Sequence, residues 1–242
     1  MVGVDRLVVT GGSAGGTSTF LHVDTIGAAV GARHTVGMPD AGAFRVRSDG
    51  AQPGPCCNWT GIVALHNGTG ALDQRCVAAQ PEAEAWRCFT APTLQPFIKA
   101  PLFVLQSQFD HFQLSAMAGV KCASAQAYFP PWKPVNCSGA ELAKIQAYGA
   151  GWMEDFAGML AAPTVATFLT ACVAHEERGT PGWTSLVAGG TVLRSAFASW
   201  HRSVDPQLPQ HRHRHSRRRQ WIDDCPLPCN ANPQVCAPVQ DQ

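Results

Sequence analysis

Three residues that together could run acyl transfer occur in one order along the 242-residue chain: Ser13, Asp110 and His175. Ser13 stands in Gly11-x-Ser13-x-Gly15, between an apolar, β-branched run at Arg6–Thr10 and a helix-like stretch that starts at Thr17. A serine on a sharp strand-to-helix turn needs small neighbours, because bulk beside it collides with the strand or the helix. The helix N-terminus behind it favours negative charge. A serine nucleophile needs a base, and the base needs a group to orient it. In folds with this turn the acid and then the histidine follow the serine, each from the C-terminal end of a strand. Asp110 follows the apolar run Pro101–Gln106, and His175 follows Val165–Thr170. The chemistry expected is ester hydrolysis. His175 takes the Ser13 proton and returns it to the leaving alcohol, and Asp110 holds the imidazole in the right tautomer.

Each assignment has rivals. The glycine-rich turn could bind phosphate, but no Lys follows the glycines as a phosphate loop requires. His66 and His111 compete as the base, and Asp40 and Asp73 as the acid. Asp24 lies inside the predicted helix and reads as a hydrogen-bonding support.

These residues need a scaffold. Arg6–Thr10 fits a parallel core strand. A helix is predicted over Thr17–Ala32, with Phe20, Leu21, Ile26 and Val30 on its apolar side and Gly31 near its end. His34–Met38 reads as the next strand, and Asp40–Phe44 as a turn beyond it. Residues 45–90 carry four cysteines and read as short helices and stapled loops. Ser138-Gly139-Ala140-Glu141 has capping-box spacing. Leu142, Ile145, Trp152, Phe156 and Met159 then mark a long amphipathic helix. Thr191–Trp200 reads as a late helix, residues 205–219 as a solvated, disordered insertion, and Cys225–Cys236 as a cysteine- and proline-rich clasp. Strands alternating with helices make this an α/β chain with a mostly parallel sheet. One domain over residues 1–242 is expected.

Composition narrows the class. Charged residues are 14% and hydrophobic ones 45%, and Lys+Arg (18) nearly balances Asp+Glu (17), for a net charge of +1. This excludes a disordered polyelectrolyte and argues against nucleic acid as the partner. No apolar run is long enough for a membrane span. The ten cysteines show no metal-site spacing and read as disulfides, which persist in oxidising compartments. Asn58-Trp59-Thr60, Asn67-Gly68-Thr69 and Asn136-Cys137-Ser138 are N-glycosylation acceptors, so a secreted glycoprotein is expected. Residues 1–10 resemble a buried strand more than a signal peptide, so the chain is expected to begin in the middle of a fold.

Several blocks resemble the pectin acetylesterase and Notum family of serine hydrolases. They are Val9-Thr10-Gly11-Gly12-Ser13-Ala14-Gly15-Gly16 with Leu21-His22-Val23-Asp24, then Asp40-Ala41-Gly42-Ala43-Phe44, then Gln106 through Leu114, then Cys172-Val173-Ala174-His175. Asp224 through Asn230 is similar to the family's C-terminal cysteine clasp. The resemblance implies an α/β-hydrolase fold, a secreted location and a triad of Ser13, Asp110 and His175. Known members remove acetyl groups from cell-wall pectin or a fatty acyl group from a lipidated signalling protein. The family's upstream strands and Gly-Gly-Gly-Trp type loop have no counterpart in this sequence. The Ala14 backbone N–H remains as the oxyanion-hole donor, and the Ser13 strand is expected to be an exposed edge. The chain alone is therefore expected to fold poorly and to be weakly active or inactive.

The reading is a secreted, monomeric carboxylic ester hydrolase that deacetylates pectin or a related polysaccharide, with no metal or organic cofactor. One alternative is a deacylase of a lipidated protein, and another is a non-catalytic remnant or carbohydrate-binding module. The basic run His211–Arg219 reads first as a solvated insertion and second as a salt-sensitive contact with anionic polysaccharide.

Overall fold

The computed structural model describes residues 3–46, 56–125, 135–207, 219–230, 232, 235–236 and 239–241. In chain order the elements are β1 (Arg6–Gly12), α1 (Ala14–Ala29), β2 (His34–Asp40), α2 (Trp59–Leu65), α3 (Gln74–Ala78), α4 (Ala91–Leu94), β3 (Leu102–Ser107), β4 (Val135–Cys137), α5 (Gly139–Asp155), α6 (Ala157–Ala161), β5 (Val165–Thr170), α7 (Thr180–Ser185), β6 (Val187–Ala188), β7 (Thr191–Val192), α8 (Leu193–Val204), β8 (Gln220–Ile222) and β9 (Val239–Asp241). Short 3₁₀ turns fill in between α2 and β3.

Strands β1, β2, β3, β5 and β8 form one sheet in that order, and every pairing is parallel. All strand C-termini therefore open on the same edge, and the loops that follow β1, β2, β3 and β5 are neighbours. This is an α/β-hydrolase-type arrangement. Side chains alternate across the sheet. Leu102 and Val104 of β3 join Val165 and Leu169 of β5 in a core with α1 and α5. Phe103, Leu105 and Phe168 face a second core with Leu193, Ala196 and Trp200 of α8. Phe103 anchors that side, with ring centroids 5.3 Å from Trp200 and 5.8 Å from Trp221.

The sequence reading locates β3, β5, α8 and the long helix to within a few residues. The Ser138–Glu141 capping box is formed, and the long helix breaks at Phe156 into α5 and α6. Strand β1 has the composition of a core strand but the edge position expected of the Ser13 strand. Among the described residues it pairs only with β2, and Val4 and Val8 are exposed. The buried face of α1 differs from the expected one. It runs through Gly16, Phe20, Val23 and Gly27, while Ile26 and Val30 are exposed. Backbone approach decides this. A Cβ on Gly16 would stand 2.5 Å from the Asp40 carbonyl oxygen, and one on Gly27 would stand 3.0 Å from the Thr35 Cβ. The glycine side of the helix lies flat on the sheet, which apolar periodicity alone does not register.

Residues 208–218 of the expected solvated insertion lie outside the described residues. Its margins belong to the fold: Asp205 is buried and takes a hydrogen bond from Arg6, and the Arg219 carbonyl accepts the Thr167 N–H at 2.7 Å.

The ten cysteines form five disulfides: Cys56–Cys57, Cys76–Cys88, Cys122–Cys137, Cys172–Cys236 and Cys225–Cys229. Cys172–Cys236 ties the loop after β5 to the C-terminal tail. The Ala171 carbonyl also accepts the N–H groups of Cys229 and Asn230, each at 2.9 Å. The bond closes a segment with sequence separation 64, so its chain-entropy contribution is about 4 kcal/mol. Replacing Cys172 and Cys236 together by serine is predicted to lower the free energy of unfolding by roughly 2–4 kcal/mol in a denaturant titration. An unchanged midpoint would contradict the tether.

Candidate active site

The turn after β1 carries Ser13. Its backbone is left-handed at φ 55°, ψ −120°, a strained region for a residue with a side chain. The glycines of Gly11-x-Ser13-x-Gly15 explain how the strain is accommodated. A Cβ on Gly11 would stand 2.9 Å from the Gly15 Cα and closer still to the Gly15 carbonyl. First and last glycine therefore meet backbone to backbone, and the turn folds back on itself. Two main-chain bonds hold it: Ser13 N–H to the Asp40 carbonyl at 2.9 Å, and Thr17 N–H to the Ser13 carbonyl at 3.0 Å. Ala14 is the first residue of α1. Its N–H is one of the amides that a helix start leaves without an intrahelical acceptor.

His175 and Asp110 come together in the loops after β5 and β3. His175 Nδ1 lies 2.9 and 3.0 Å from the two Asp110 carboxylate oxygens, and both residues are buried. The loops are fastened to each other by the His111 N–H to the Ala174 carbonyl at 3.2 Å and by the Ser107 hydroxyl to the Cys172 carbonyl. A buried carboxylate needs donors. Asp110 Oδ1 accepts the N–H groups of Phe112 (2.9 Å) and Gln113 (3.1 Å), and Oδ2 accepts from Gln106 Nε2 at 3.2 Å. Burial pulls the His175 pKa down, but the Asp110 charge, its hydrogen bond, Glu176 and Asp40 outweigh that, and the pKa is raised above 6.5. With Nδ1–H donated to Asp110, Nε2 is the basic nitrogen.

The loop bearing His175 also lies against the serine turn. A Cβ on Gly12 would collide with the side chains of Glu176 and Arg178. Around His175 stand Phe112, with ring centroids 5.3 Å apart, Phe44 at 6.5 Å and His111 at 5.7 Å.

The rivals occupy other posts. Burial pushes the His111 pKa down to about 4, which makes its ring a poor proton acceptor. His66 is exposed at the C-terminal end of α2. Asp73 caps α3 and pairs with Arg75. Asp24 accepts the N–H groups of Lys99 (2.8 Å) and Ala100 (2.9 Å), the supporting role expected of it. The Asp40 carboxylate is engaged by main-chain N–H groups of Glu177 and Arg178.

Sequence reasoning missed the supports. Gln106 Oε1 accepts the Ala43 N–H at 3.1 Å while its Nε2 serves Asp110. Gln113 Oε1 accepts from the Arg45 N–H (2.9 Å) and the Tyr148 hydroxyl (2.5 Å). Trp152 Nε1 donates to the Ala43 carbonyl at 3.1 Å. The available signal was a glutamine closing the otherwise apolar run Leu102–Leu105. An amide in the middle of a core has to be answering another polar group.

A narrow recess walled by aromatic rings adjoins the site. Thr17, Gly42, Phe44, Val46, Trp59, Phe89, Thr90 and Ala91 line it, with Phe44–Trp59 and Trp59–Phe89 centroids 5.5 and 5.7 Å apart. The rings leave a free volume of only about 10 Å³. Among the described residues no group of three or more His, Cys, Asp or Glu side chains is placed to hold a metal ion. No helix among them is long and apolar enough to cross a membrane.

A family model described as pectinacetylesterase matches residues 1–234. Palmitoleoyl-protein carboxylesterase NOTUM of Mus musculus is 27% identical over 257 aligned residues, covering 99% of this chain and 46% of the relative. The notum1a carboxylesterase of Danio rerio is 28% identical over 251, covering 98% and 46%. Pectin acetylesterase 7 of Arabidopsis thaliana is 27% identical over 207, covering 82% and 51%. The chain spans about half the length of these relatives.

Replacing Gln106 by leucine strips one donor from Asp110 and leaves the Ala43 N–H without its acceptor. Unsatisfied buried groups cost about 1–3 kcal/mol each, so a loss of at least that size is predicted in urea unfolding. A variant as stable as the parent would show that the amide is not a support.

Proposed function

Because the chain belongs to the pectinacetylesterase family, we propose that it is a carboxylic ester hydrolase that removes acetyl groups from a cell-wall polysaccharide of the pectin type. Ser13 is the nucleophile, His175 the base and Asp110 the orienting acid. The observation that carries this reading is the buried His175–Asp110 pair, whose loop rests against a left-handed serine turn.

In the proposed cycle His175 Nε2 accepts the Ser13 hydroxyl proton as Oγ attacks the acetyl carbonyl. The oxyanion takes the Ala14 N–H at the start of α1, where the helix field also favours negative charge. His175 gives its proton to the departing sugar hydroxyl, leaving acetyl-Ser13. A water then attacks with His175 again as base, and acetate leaves. No cofactor takes part in these steps.

Chain length of the acyl group is the second question, since the relatives include palmitoleoyl-protein carboxylesterases. Free space of about 10 Å³ is about the room one water needs. A neighbouring recess that shares Phe44, Val46 and Thr90 has about 280 Å³ of free space, so the Phe44–Trp59–Phe89 wall is the element that a substitution should test for acyl-chain length. The five disulfides, and exposed acceptor asparagines at 58, 67 and 136, support a secreted glycoprotein. It acts as a monomer on acetylated pectin.

Three outcomes are predicted. Ser13→Ala and Asp110→Asn each lose roughly 10⁴-fold in kcat on an aryl acetate. Hydrolysis by Ser13→Ala at the parent rate contradicts the mechanism, and pectin binding without turnover by the parent would favour the binding-module reading. In the parent, kcat/KM rises with pH through a midpoint above 6.5, because only neutral His175 is a base and its pKa is raised. A rate that falls with pH over that range would exclude His175 as base. Phe89→Ala should shift preference from acetyl towards octanoyl esters, and an unchanged ratio would show that the acyl group binds elsewhere.

A further inference from the structure

Two buried carboxyl groups, Asp40 and Glu177, lie against the same loop and have no part in the proposed cycle. Asp40 ends β2. Its main chain and side chain face different partners. The carbonyl accepts the Ser13 N–H at 2.9 Å. The carboxylate accepts the Glu177 N–H (3.0 Å), the Arg178 N–H (2.9 Å) and the Arg178 guanidinium (3.1 Å), all measured to Oδ2. One residue therefore holds the nucleophile turn by its backbone and the loop after His175 by its side chain. The same loop is pinned from β5, where the Thr170 hydroxyl donates to Glu177 Oε1. Arg178 also pairs with Glu176 at 3.2 Å over Gly12.

We propose that Asp40 is a positioning residue for the base: its carboxylate clasps the backbone at Glu177 and Arg178 and so sets where His175 stands over the Ser13 turn. This rests on the triad reading above. A carboxylate that takes two successive main-chain N–H groups fixes both the height and the tilt of the segment, which a single contact from a long side chain cannot do. Hydrogen bonds to an ionised acceptor are also the stronger kind. The Arg178 guanidinium is partly exposed and shared with Glu176, so it neutralises charge more than it sets position.

The charged groups facing Asp40 are Arg178, Glu176, Glu177 and His175. Burial pushes the Asp40 pKa up to about 7, against the pull of Arg178 and the two N–H donors. Burial also holds Glu177 well above the usual carboxyl range, with Asp40, Asp110 and Asp223 adding to it. Asp40 is thus the better acceptor above neutral pH, and His175 is likewise the better base on the alkaline side of its raised pKa. Loss of the clasp and protonation of the base both act on the acid side.

The test compares Asp40→Asn and Arg178→Ala in the full chain by aryl acetate kinetics and by NMR of the His175 ring nitrogens. Asp40→Asn keeps the shape but turns an amide toward two donors. We expect kcat to fall roughly 100-fold with KM little changed, the acid limb of kcat/KM to lose one of two protonations, and the His175 pKa to drop. Arg178→Ala removes the cation that helps keep Asp40 ionised, so it should move the acid limb to higher pH while most of kcat is kept on the alkaline plateau. The proposal is overturned if Asp40→Asn retains the parent's kcat and His175 signal, or if Arg178→Ala reproduces the whole loss on the alkaline plateau, where Asp40 is ionised. If the parent is too weakly active to assay, the His175 signal alone decides the clasp: displaced by Asp40→Asn supports it, unchanged overturns it. If Asp40→Asn does not fold, Asp40→Glu carries the test: the longer side chain cannot hold the Glu177 and Arg178 N–H groups at the same place, so displaced His175 ring signals support the clasp and unchanged ones overturn it.

Discussion

Asp110, with almost no access to water and held 2.9 Å from His175, makes the interaction around which this structure is arranged. Burying a carboxylate is costly unless every lone pair is answered. The answer comes from two main-chain N–H groups of the following turn, an amide from Gln106 and the imidazole itself. Gln106 can point there only because β3 lies between β2 and β5, and because Ala43 after β2 occupies its other end. The parallel sheet therefore does more than gather loops on one edge. It makes the loop after each strand complete the polar contacts of the loop beside it.

The serine turn obeys the same logic through its backbone. Helix α1 lies on β2 at glycine distance, the Ser13 N–H reaches the Asp40 carbonyl, and the left-handed φ at Ser13 follows from a chain that must reverse within that space. Asp40 is where the two halves meet. The loop from His175 to Arg178 is held from β2 by Asp40, from β3 by Asp110, from β5 by Thr170 and across Gly12 of β1 by the Glu176–Arg178 pair. The Cys172–Cys236 bond closes the loop from the side of the C-terminal tail.

Much of this was legible in the sequence, for definite reasons. The strands at 102–107 and 165–170 are dense apolar runs, and the Ser138–Glu141 cap announces its helix. The strand-end positions of Asp110 and His175 were readable, and the structure pairs the two; the role proposed for Ser13 rests on the same strand-end reading. What was not legible depends on three-dimensional neighbours. The apolar side assigned to α1 was wrong at Ile26 and Val30, because close backbone packing outranked side-chain hydrophobicity. Asp40 read as a rival acid, since nothing in the chain near it shows that its carboxylate caps residues 137 and 138 positions further on. Gln106 and Gln113 gave a readable hint as polar residues in apolar surroundings, but their partners belong to other strands.

The central claim is that Ser13 carries the acyl group, and intact-protein mass spectrometry tests it directly. The chain is mixed with an activated acetyl ester, quenched in acid within the first turnovers and mapped by peptide digestion. A single acetyl adduct is expected on the Ser13 peptide, absent when Asp110 is asparagine and lost on standing as water completes the cycle. Turnover of the ester with no adduct at Ser13, or with the adduct on another residue, would contradict it.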